Sequence, residues 1–178
     1  WDRTQSWWEL VPAYHRYLAR CQFLLQQGRG VADIGYLALE GAPHVFRPPP
    51  SALTGSLPDR RGYNFVGLAP EWLAGASVKD DRIVLASGAS CRVLVLPGSE
   101  TMTPGRLRRV GELVSAGATV VGMPPTKSPG LSGYTECDAE VRRLAAEIWG
   151  RGDLPPDGRS VGAGRVYPGL RPEAAVRP

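Results

Sequence analysis

The sequence predicts an α/β fold of flavodoxin-like type, in which an open parallel sheet is flanked by helices. Three short apolar runs, at residues 31–39, 91–98 and 118–125, have the continuous hydrophobic pattern of strands that are buried on both faces. Segments with a helical period precede and separate these runs, and such alternation of helix and strand is typical of parallel sheets. The 178 residues, 43% of them hydrophobic, are enough for one globular core.

The first helix is predicted over residues 7–28, where apolar residues recur at helical spacing. The residues of this stripe are Leu10, Tyr14, Tyr17, Leu18, Cys21, Leu24 and Leu25. The ring of Pro12 clashes with the carbonyl group of Trp8 in a regular helix, so we expect the regular part to begin near Val11. Gly28 is expected to end it.

Between the first two apolar runs the sequence predicts a loop and two small elements. Residues 41–62 are rich in proline and polar residues, which is typical of a long surface loop. A short helix is expected from Pro70. Residues 77–90 are predicted to form a hairpin, with turns at residues 79–81 and 87–88.

Two further helices follow the second and third runs. Thr103 is a preferred N-cap residue and Pro104 suits the first helical position, which predicts a helix that closes near Gly117. Residues 138–149 carry a second helical period and are followed by Gly150.

Residues 151–178 lose this order and form a predicted irregular tail. The segment is mostly glycine, proline, arginine and other polar residues, so we expect it to fray. Within it, residues 164–169 have the pattern of one possible last strand.

Composition excludes several classes of protein. No run of eighteen apolar residues and no signal peptide is present, so no membrane partner is expected. The net charge of +4 is modest and the arginines are spread along the chain, so no nucleic acid is expected either. Three cysteines without CxxC spacing and two histidines predict no metal site. The chain begins at Trp1 and enters a helix almost at once, which suggests a piece of a longer protein.

Neither a GxGxxG nor a GxxxxGK[ST] pattern occurs, so no nucleotide cofactor is predicted, and no other cofactor is expected. Ligands of open α/β sheets bind beyond the carboxyl ends of the strands, where Glu40, Ser99 and Thr126 lie. One hypothesis is therefore a non-catalytic binding or interaction module that uses these residues. Another is an amidotransferase-type enzyme with a reactive thiol at Cys91 or Cys137, although no G-x-C-x-G elbow is present.

A cluster near the start of the chain suits a sugar. Trp7 and Trp8 offer aromatic faces for C–H surfaces, and Arg3 offers a polar group for hydroxyls. The alternative is a helix start that is buried against a neighbouring domain. The tryptophans expected only to pack in the interior are Trp1, Trp72 and Trp149.

Several blocks of sequence occur together in one known family. These blocks are WW, YLARCQ with LLQQG and VAD, VLPGSETMTP, and SPGLSGY with ECDAEV. In this order, over residues 2–150, the chain resembles the later part of large bacterial glycoside hydrolases of the α-L-rhamnosidase type, family 106.

The resemblance implies a domain plan and an activity. Residues 1–28 look like the last loop and helix of a (β/α)8 catalytic barrel. Residues 29–150 look like an accessory flavodoxin-like domain related to class I glutamine amidotransferases, and the match ends before the tail at 151–178. The parent would hydrolyse terminal α-L-rhamnosides of plant or microbial polysaccharides, with inversion, in the periplasm or outside the cell. Its catalytic glutamates and calcium site would lie upstream.

On this interpretation the segment is mainly structural, packs against the barrel of the parent enzyme and is inactive alone. Its contribution to sugar binding is assigned to Arg3, Trp7, Trp8 and Glu40. The fragment hypothesis and the binding-module hypothesis differ in one respect. A fragment exposes the apolar back of the first helix, around Leu18, Cys21 and Leu25, whereas an independent module buries it.

Overall fold

The computed structural model describes residues 3–30, 32–41, 46, 63–152 and 155–169. The chain divides into two compact units, residues 1–30 and residues 31–178. The second unit is built on a mostly parallel six-stranded sheet with helices, which confirms the predicted α/β class. Most of the predicted loop 41–62 lies outside the described residues.

The first unit is a short 3₁₀ helix, Trp8–Leu10, that leads directly into helix α1, Val11–Leu25. Pro12 lies in the first turn of α1. Backbone N–H groups in a first turn have no acceptor within the helix, so the missing N–H of proline costs no hydrogen bond there. The regular helix therefore begins where the proline predicts. It ends before Gly28, because Gln26 already has the capping position and donates its N–H to the carbonyl of Gln22.

The described residues of the second unit form nine strands and two α-helices. The strands are β1 (Ile34–Leu37), β2 (Phe65–Leu68), β3 (Ser77–Lys79), β4 (Arg82–Val84), β5 (Ser90–Cys91), β6 (Val93–Val95), β7 (Thr119–Val121), β8 (Arg159–Val161) and β9 (Gly164–Tyr167). The helices are α2 (Pro104–Ser115), α3 (Glu136–Trp149) and a 3₁₀ helix at Pro70–Leu73. The larger sheet has the order β2-β1-β6-β7-β9-β8, and only the β8–β9 pair is antiparallel. Strands β3, β4 and β5 form a small antiparallel sheet.

The second predicted strand, residues 91–98, is divided between the two sheets. Cys91 pairs with Ile83 of β4 in the antiparallel sheet, whereas Val93 is in register with Ile34 of the parallel sheet. The backbone N–H groups of Arg92 and Val93 both donate to the carbonyl of Asp33 at the change of sheet. Apolar periodicity does not show this division, because both halves are buried.

The possible last strand at residues 164–169 is present as β9, Gly164–Tyr167, but the expectation that the rest of the tail frays is wrong for β8, Arg159–Val161. Strand β9 adds to the edge of β7 in parallel, and β8 folds back on β9. Gly162 turns the hairpin with a positive φ of 59°. Three residues of β9 pair with β7, and their backbone groups complete hydrogen bonds that the edge of β7 would otherwise leave open. Strand β2 was also not predicted.

Side chains alternate across the sheet and form two hydrophobic layers. Leu94, Val120 and Val166 belong to the larger cluster, which includes the apolar faces of α2 and α3. Ile34 and Val121 belong to the cluster on the opposite face. Burying such side chains stabilises the fold by roughly 1.5–3 kcal/mol each.

Trp149 closes the α3 side of this core. Its side chain is 2% exposed, and its indole Nε1–H donates to the carbonyl of Gly122 at 2.9 Å, which ties the last turn of α3 to the end of β7. The predicted packing role of Trp149 is confirmed. Gly122 has a φ of 151° and a Cβ there would lie 2.7 Å from Leu96 Cβ, so a glycine is required.

Helices within the described ranges are too short or too polar to cross a lipid bilayer.

Candidate functional site

Glu40 follows β1 at the carboxyl end of the sheet, as predicted. Its carboxylate accepts the backbone N–H of Thr103 at 2.6 Å and the hydroxyl of the same residue at 2.7 Å. Thr103 is the N-cap of α2, but its hydroxyl reaches the carboxylate and not the helix backbone. Glu40 therefore places a negative charge at the positive end of the helix dipole.

Arg106 completes this cluster from the first turn of α2. Its Nε lies 3.3 Å from the carboxylate of Glu40, and its guanidinium also donates to the carbonyl of Pro70. Both side chains of the ion pair are less than one-fifth exposed, so the pair is shielded from solvent. These bonds describe an anchor between β1, α2 and the 3₁₀ helix. The substrate-binding role of Glu40 stays a prediction.

Ser99 and Thr126 hold loops at the same end of the sheet. The hydroxyl of Ser99 accepts the backbone N–H of Thr101 at 3.1 Å and lies 2.9 Å from its hydroxyl. The backbone N–H of Thr126 donates to the carbonyl of Glu100 at 2.8 Å. The side chain of Ser99 and the backbone of Thr126 are thus already bonded within the fold, which favours a structural role for these two groups.

Trp7 and Trp8 are adjacent in the first unit and remain accessible. Their side chains are 39% and 40% exposed, and Arg3 is exposed too. Trp7 lines a cavity of about 300 Å³ together with Leu10, Val11 and Tyr14, whereas Trp8 does not. The two tryptophans are consecutive in the chain, at the start of the short 3₁₀ helix.

Helix α1 exposes most of its apolar residues. Val11 is the only buried residue of this helix, whereas Phe23, Leu24 and Leu25 are 63%, 70% and 82% exposed. Leu18 and Cys21 are half-buried. Of the residues that distinguish the two hypotheses, Leu25 is open to solvent, which favours the fragment hypothesis, whereas Leu18 and Cys21 are partly covered.

The thiol groups do not form a nucleophilic site. Cys91 is 1% exposed, and burial raises the pKa of its thiol to about 11, against the smaller lowering effect of Arg82. A thiol with a raised pKa is protonated at neutral pH and is a poor nucleophile. Cys137 is also buried, in the first turn of α3. His15 is exposed on α1, and His44 lies outside the described residues.

Acidic and thiol side chains are too dispersed for a metal centre in the part of the chain that the structure describes. No three histidine, cysteine, aspartate or glutamate side chains come together as ligands there. The described residues therefore do not fit a calcium site. The family resemblance places that site upstream of this chain. Among the described carboxyl groups, the pKa of Glu140 is shifted most strongly, because hydrogen bonds from Arg143 and Arg108 lower it to about 2. That cluster links the outer faces of α2 and α3.

A second aromatic site is present that the sequence reasoning missed. Trp72 is 51% exposed, so the prediction that it packs in the interior is wrong. It lines a cavity of about 390 Å³ between the 3₁₀ helix and the turn that joins β4 to β5. The spacing of apolar residues could have predicted this exposure. Pro70 and Leu73 are three residues apart, so they share the buried side of a 3₁₀ helix, and Trp72 between them faces outward.

Comparison with known proteins identifies the family. The model of glycoside hydrolase family 106, described as alpha-L-rhamnosidase, matches residues 1–177. The chain belongs to this family. The fold of this chain is similar to part of a solved rhamnosidase from Novosphingobium sp. PP1Y, which is 31% identical, with a TM-score of 0.70 over 98% of this chain.

A curated relative from Formosa agariphila, named "Putative beta-glucuronidase", is 36% identical over 151 residues, or 85% of this chain. The family 106 segment described here is short beside its relatives. It spans 12% of the Formosa agariphila protein and 16% of the solved rhamnosidase chain. The chain therefore corresponds to a segment of these relatives and not to their whole length.

Proposed function

We propose that this chain is a mainly structural segment of a larger glycoside hydrolase that acts on terminal α-L-rhamnosides of plant or microbial polysaccharides. The open apolar face of α1 carries this proposal. Exposure of the apolar side chains of Leu24 and Leu25 to water is unfavourable. A neighbouring domain that covers these side chains would remove this free-energy cost. The short span of the chain within its relatives supports the same conclusion.

The two units have separate roles in this proposal. Residues 1–28 supply the last loop and helix of a catalytic barrel, with Arg3, Trp7 and Trp8 at the sugar pocket. The sheet unit is an accessory flavodoxin-like domain, which is supported by the strand order β2-β1-β6-β7-β9. The carboxylates that perform hydrolysis belong to the rest of the enzyme, so this segment alone is inactive.

The test compares the full-length protein with the 178-residue chain on p-nitrophenyl α-L-rhamnoside and p-nitrophenyl β-glucuronide. Activity on the rhamnoside by the full-length protein alone is the expected result. Activity confined to the glucuronide would overturn the sugar assignment, and hydrolysis by the 178-residue chain would overturn the structural role.

Variants of the full-length protein test the tryptophans. Trp7→Ala and Trp8→Ala are expected to raise KM for the rhamnoside about tenfold or more, because an aromatic contact surface is lost. Tyr134→Ala is the matched control, since Tyr134 is 63% exposed but lies in the other unit. Unchanged kinetics in both tryptophan variants would remove these residues from the sugar pocket.

A further inference from the structure

The cavity beside Trp72 is lined by residues other than Arg3, Trp7, Trp8 and Glu40, which the sequence assigns to sugar binding. We infer that it binds a 6-deoxyhexopyranose unit of a glycan, as a secondary sugar site on the sheet unit. The choice of sugar rests on the proposed function, whereas the existence of the site rests on the geometry below.

The first observation is an aromatic platform. The indole of Trp72 is half exposed and forms one wall of a cavity of about 390 Å³. Small-molecule sites have volumes of roughly 300–1,000 Å³, so one sugar ring and part of a second fit. Among the described residues the indole Nε1–H of Trp72 has no hydrogen-bond partner, so it is free to donate to a sugar hydroxyl.

The platform is held in place before any ligand arrives. From one face of α2, Arg109 donates to the carbonyls of Leu73, at 3.0 Å, and Ala76. Arg106 donates to the carbonyl of Pro70 from the same helix. Both ends of the 3₁₀ helix that carries Trp72 are therefore fixed by guanidinium groups, and a fixed platform loses little entropy when a ligand binds.

The remaining lining divides into polar and apolar parts. The carboxylate of Glu71 is 76% exposed, with one oxygen 3.9 Å from Arg106 and the other available to accept a hydroxyl. Ser87 accepts a backbone N–H from Ala89, which leaves its own hydroxyl proton to donate. Leu85 supplies an apolar wall. A sugar that carries a methyl group in place of a hydroxymethyl group fits this lining. Its hydroxyl groups can bond Glu71 and Ser87, and its methyl group can pack against Leu85.

Binding is measured on the 178-residue chain by saturation-transfer difference NMR and by the shift of the Trp72 indole proton. The probes are methyl α-L-rhamnopyranoside and methyl α-L-mannopyranoside, which differ only by the hydroxyl group at C6. We expect the rhamnoside to bind more tightly and to shift the indole signal. No saturation transfer, no indole shift, or equal binding of the two probes would overturn the proposal.

Three variants locate the site. Trp72→Ala is expected to weaken rhamnoside binding at least ~10-fold, and Glu71→Gln to weaken it less. Gly75→Val is a filling variant, because a Cβ at Gly75 lies 3.4 Å from Ala86 Cβ and larger groups occupy the cavity. Tyr134→Ala is the control, and an equal loss of binding in it would contradict the assignment. Circular dichroism confirms that each variant is folded.

The full-length enzyme separates this inference from the proposed function. There, Trp72→Ala is expected to leave kcat/KM on p-nitrophenyl α-L-rhamnoside unchanged but to reduce retention on a rhamnose-containing polysaccharide in affinity electrophoresis. Full activity of the parent with no Trp72-dependent retention would overturn the secondary site alone. An inactive parent whose Trp72 still binds the rhamnoside would overturn only the proposed function.

Discussion

Glu40 and Thr103 are joined by two short hydrogen bonds although 63 residues separate them in the chain. The carboxylate accepts both the backbone N–H and the hydroxyl of Thr103, with Arg106 close by. This pair fixes the start of α2 to the end of β1. It also means that variants of Glu40 must be tested for stability as well as for substrate binding.

Glu40→Gln is expected to lower the free energy of unfolding by about 1–2 kcal/mol, because a neutral amide accepts hydrogen bonds less strongly than a carboxylate. Thr103→Val removes the hydroxyl partner. Urea denaturation of both single variants and the double variant should give a coupling energy of about 1 kcal/mol or more. Strictly additive losses would contradict the pairing. In the full-length enzyme, a raised KM with unchanged stability would instead support the predicted role of Glu40 in substrate binding.

Cys91 is expected to resist alkylation by iodoacetamide at neutral pH, whereas the half-buried Cys21 reacts first. Peptide mapping after timed alkylation checks this order. Faster labelling of Cys91 would revive the thiol-enzyme hypothesis.

The raised pKa of Cys91 also predicts a pH dependence of stability. In the unfolded chain the thiol ionises near 9.0, and in the folded protein near 11. The unfolded state therefore loses its proton first, so the contribution of Cys91 is complete below pH 9 and is lost as the pH rises to 11. The loss is on the order of 2 kcal/mol. Urea denaturation from pH 8 to 11 should show a smaller decline in Cys91→Ala than in the wild type, and parallel declines would contradict the assignment.

Gly164→Ala is expected to destabilise the protein by about 3 kcal/mol or more, since a Cβ there would overlap the carbonyl oxygens of Val114 and Ala118. Both oxygens belong to the backbone, so neither can move aside as a flexible side chain would. Gly169→Ala is the control, because no atom lies within 4 Å of its Cβ position. Thermal unfolding of the two variants compares them directly. Similar melting temperatures would show that β9 does not dock as described.

Replacing Leu24 and Leu25 by serine is expected to reduce self-association of the 178-residue chain, because these side chains are 70% and 82% exposed. Sedimentation velocity checks this. Leu131→Ser is the control, since Leu131 is equally exposed at 82% but lies in the other unit. In the full-length enzyme the same double substitution should lower the melting temperature, because the proposed barrel covers this face. An unchanged value there would contradict the packing proposal.

The sequence predicts those features that depend on local chemistry. Pro12 places the start of α1, Pro104 begins α2 after Thr103, and Gly150 follows the last residue of α3. Each effect acts within one turn of chain, through a missing N–H or a permitted positive φ. The α/β class also follows from local runs of apolar residues. Parallel strands that are buried on both faces appear in a sequence as short continuous apolar runs.

Strand partners and side-chain exposure were determined by tertiary structure. The short run at β9 becomes a strand because the open edge of β7 accepts it, and the apolar run at 91–98 is divided because two sheets compete for it. Trp72 points outward because Pro70 and Leu73 occupy the buried side of a 3₁₀ turn. The bonds between Glu40 and Thr103 could not be inferred from residues so far apart.

By itself, then, the sequence determined the fold class, the helix starts set by Pro12 and Pro104, the helix end at Gly150, and membership of a glycoside hydrolase family through ordered blocks of residues. Tertiary structure alone decided that Glu40 anchors a helix, that burial raises the pKa of Cys91 and that Trp72 opens onto a cavity. The physical reason is distance. Helix signals act over a few residues, whereas burial, hydrogen bonding and pKa depend on groups that only folding brings together.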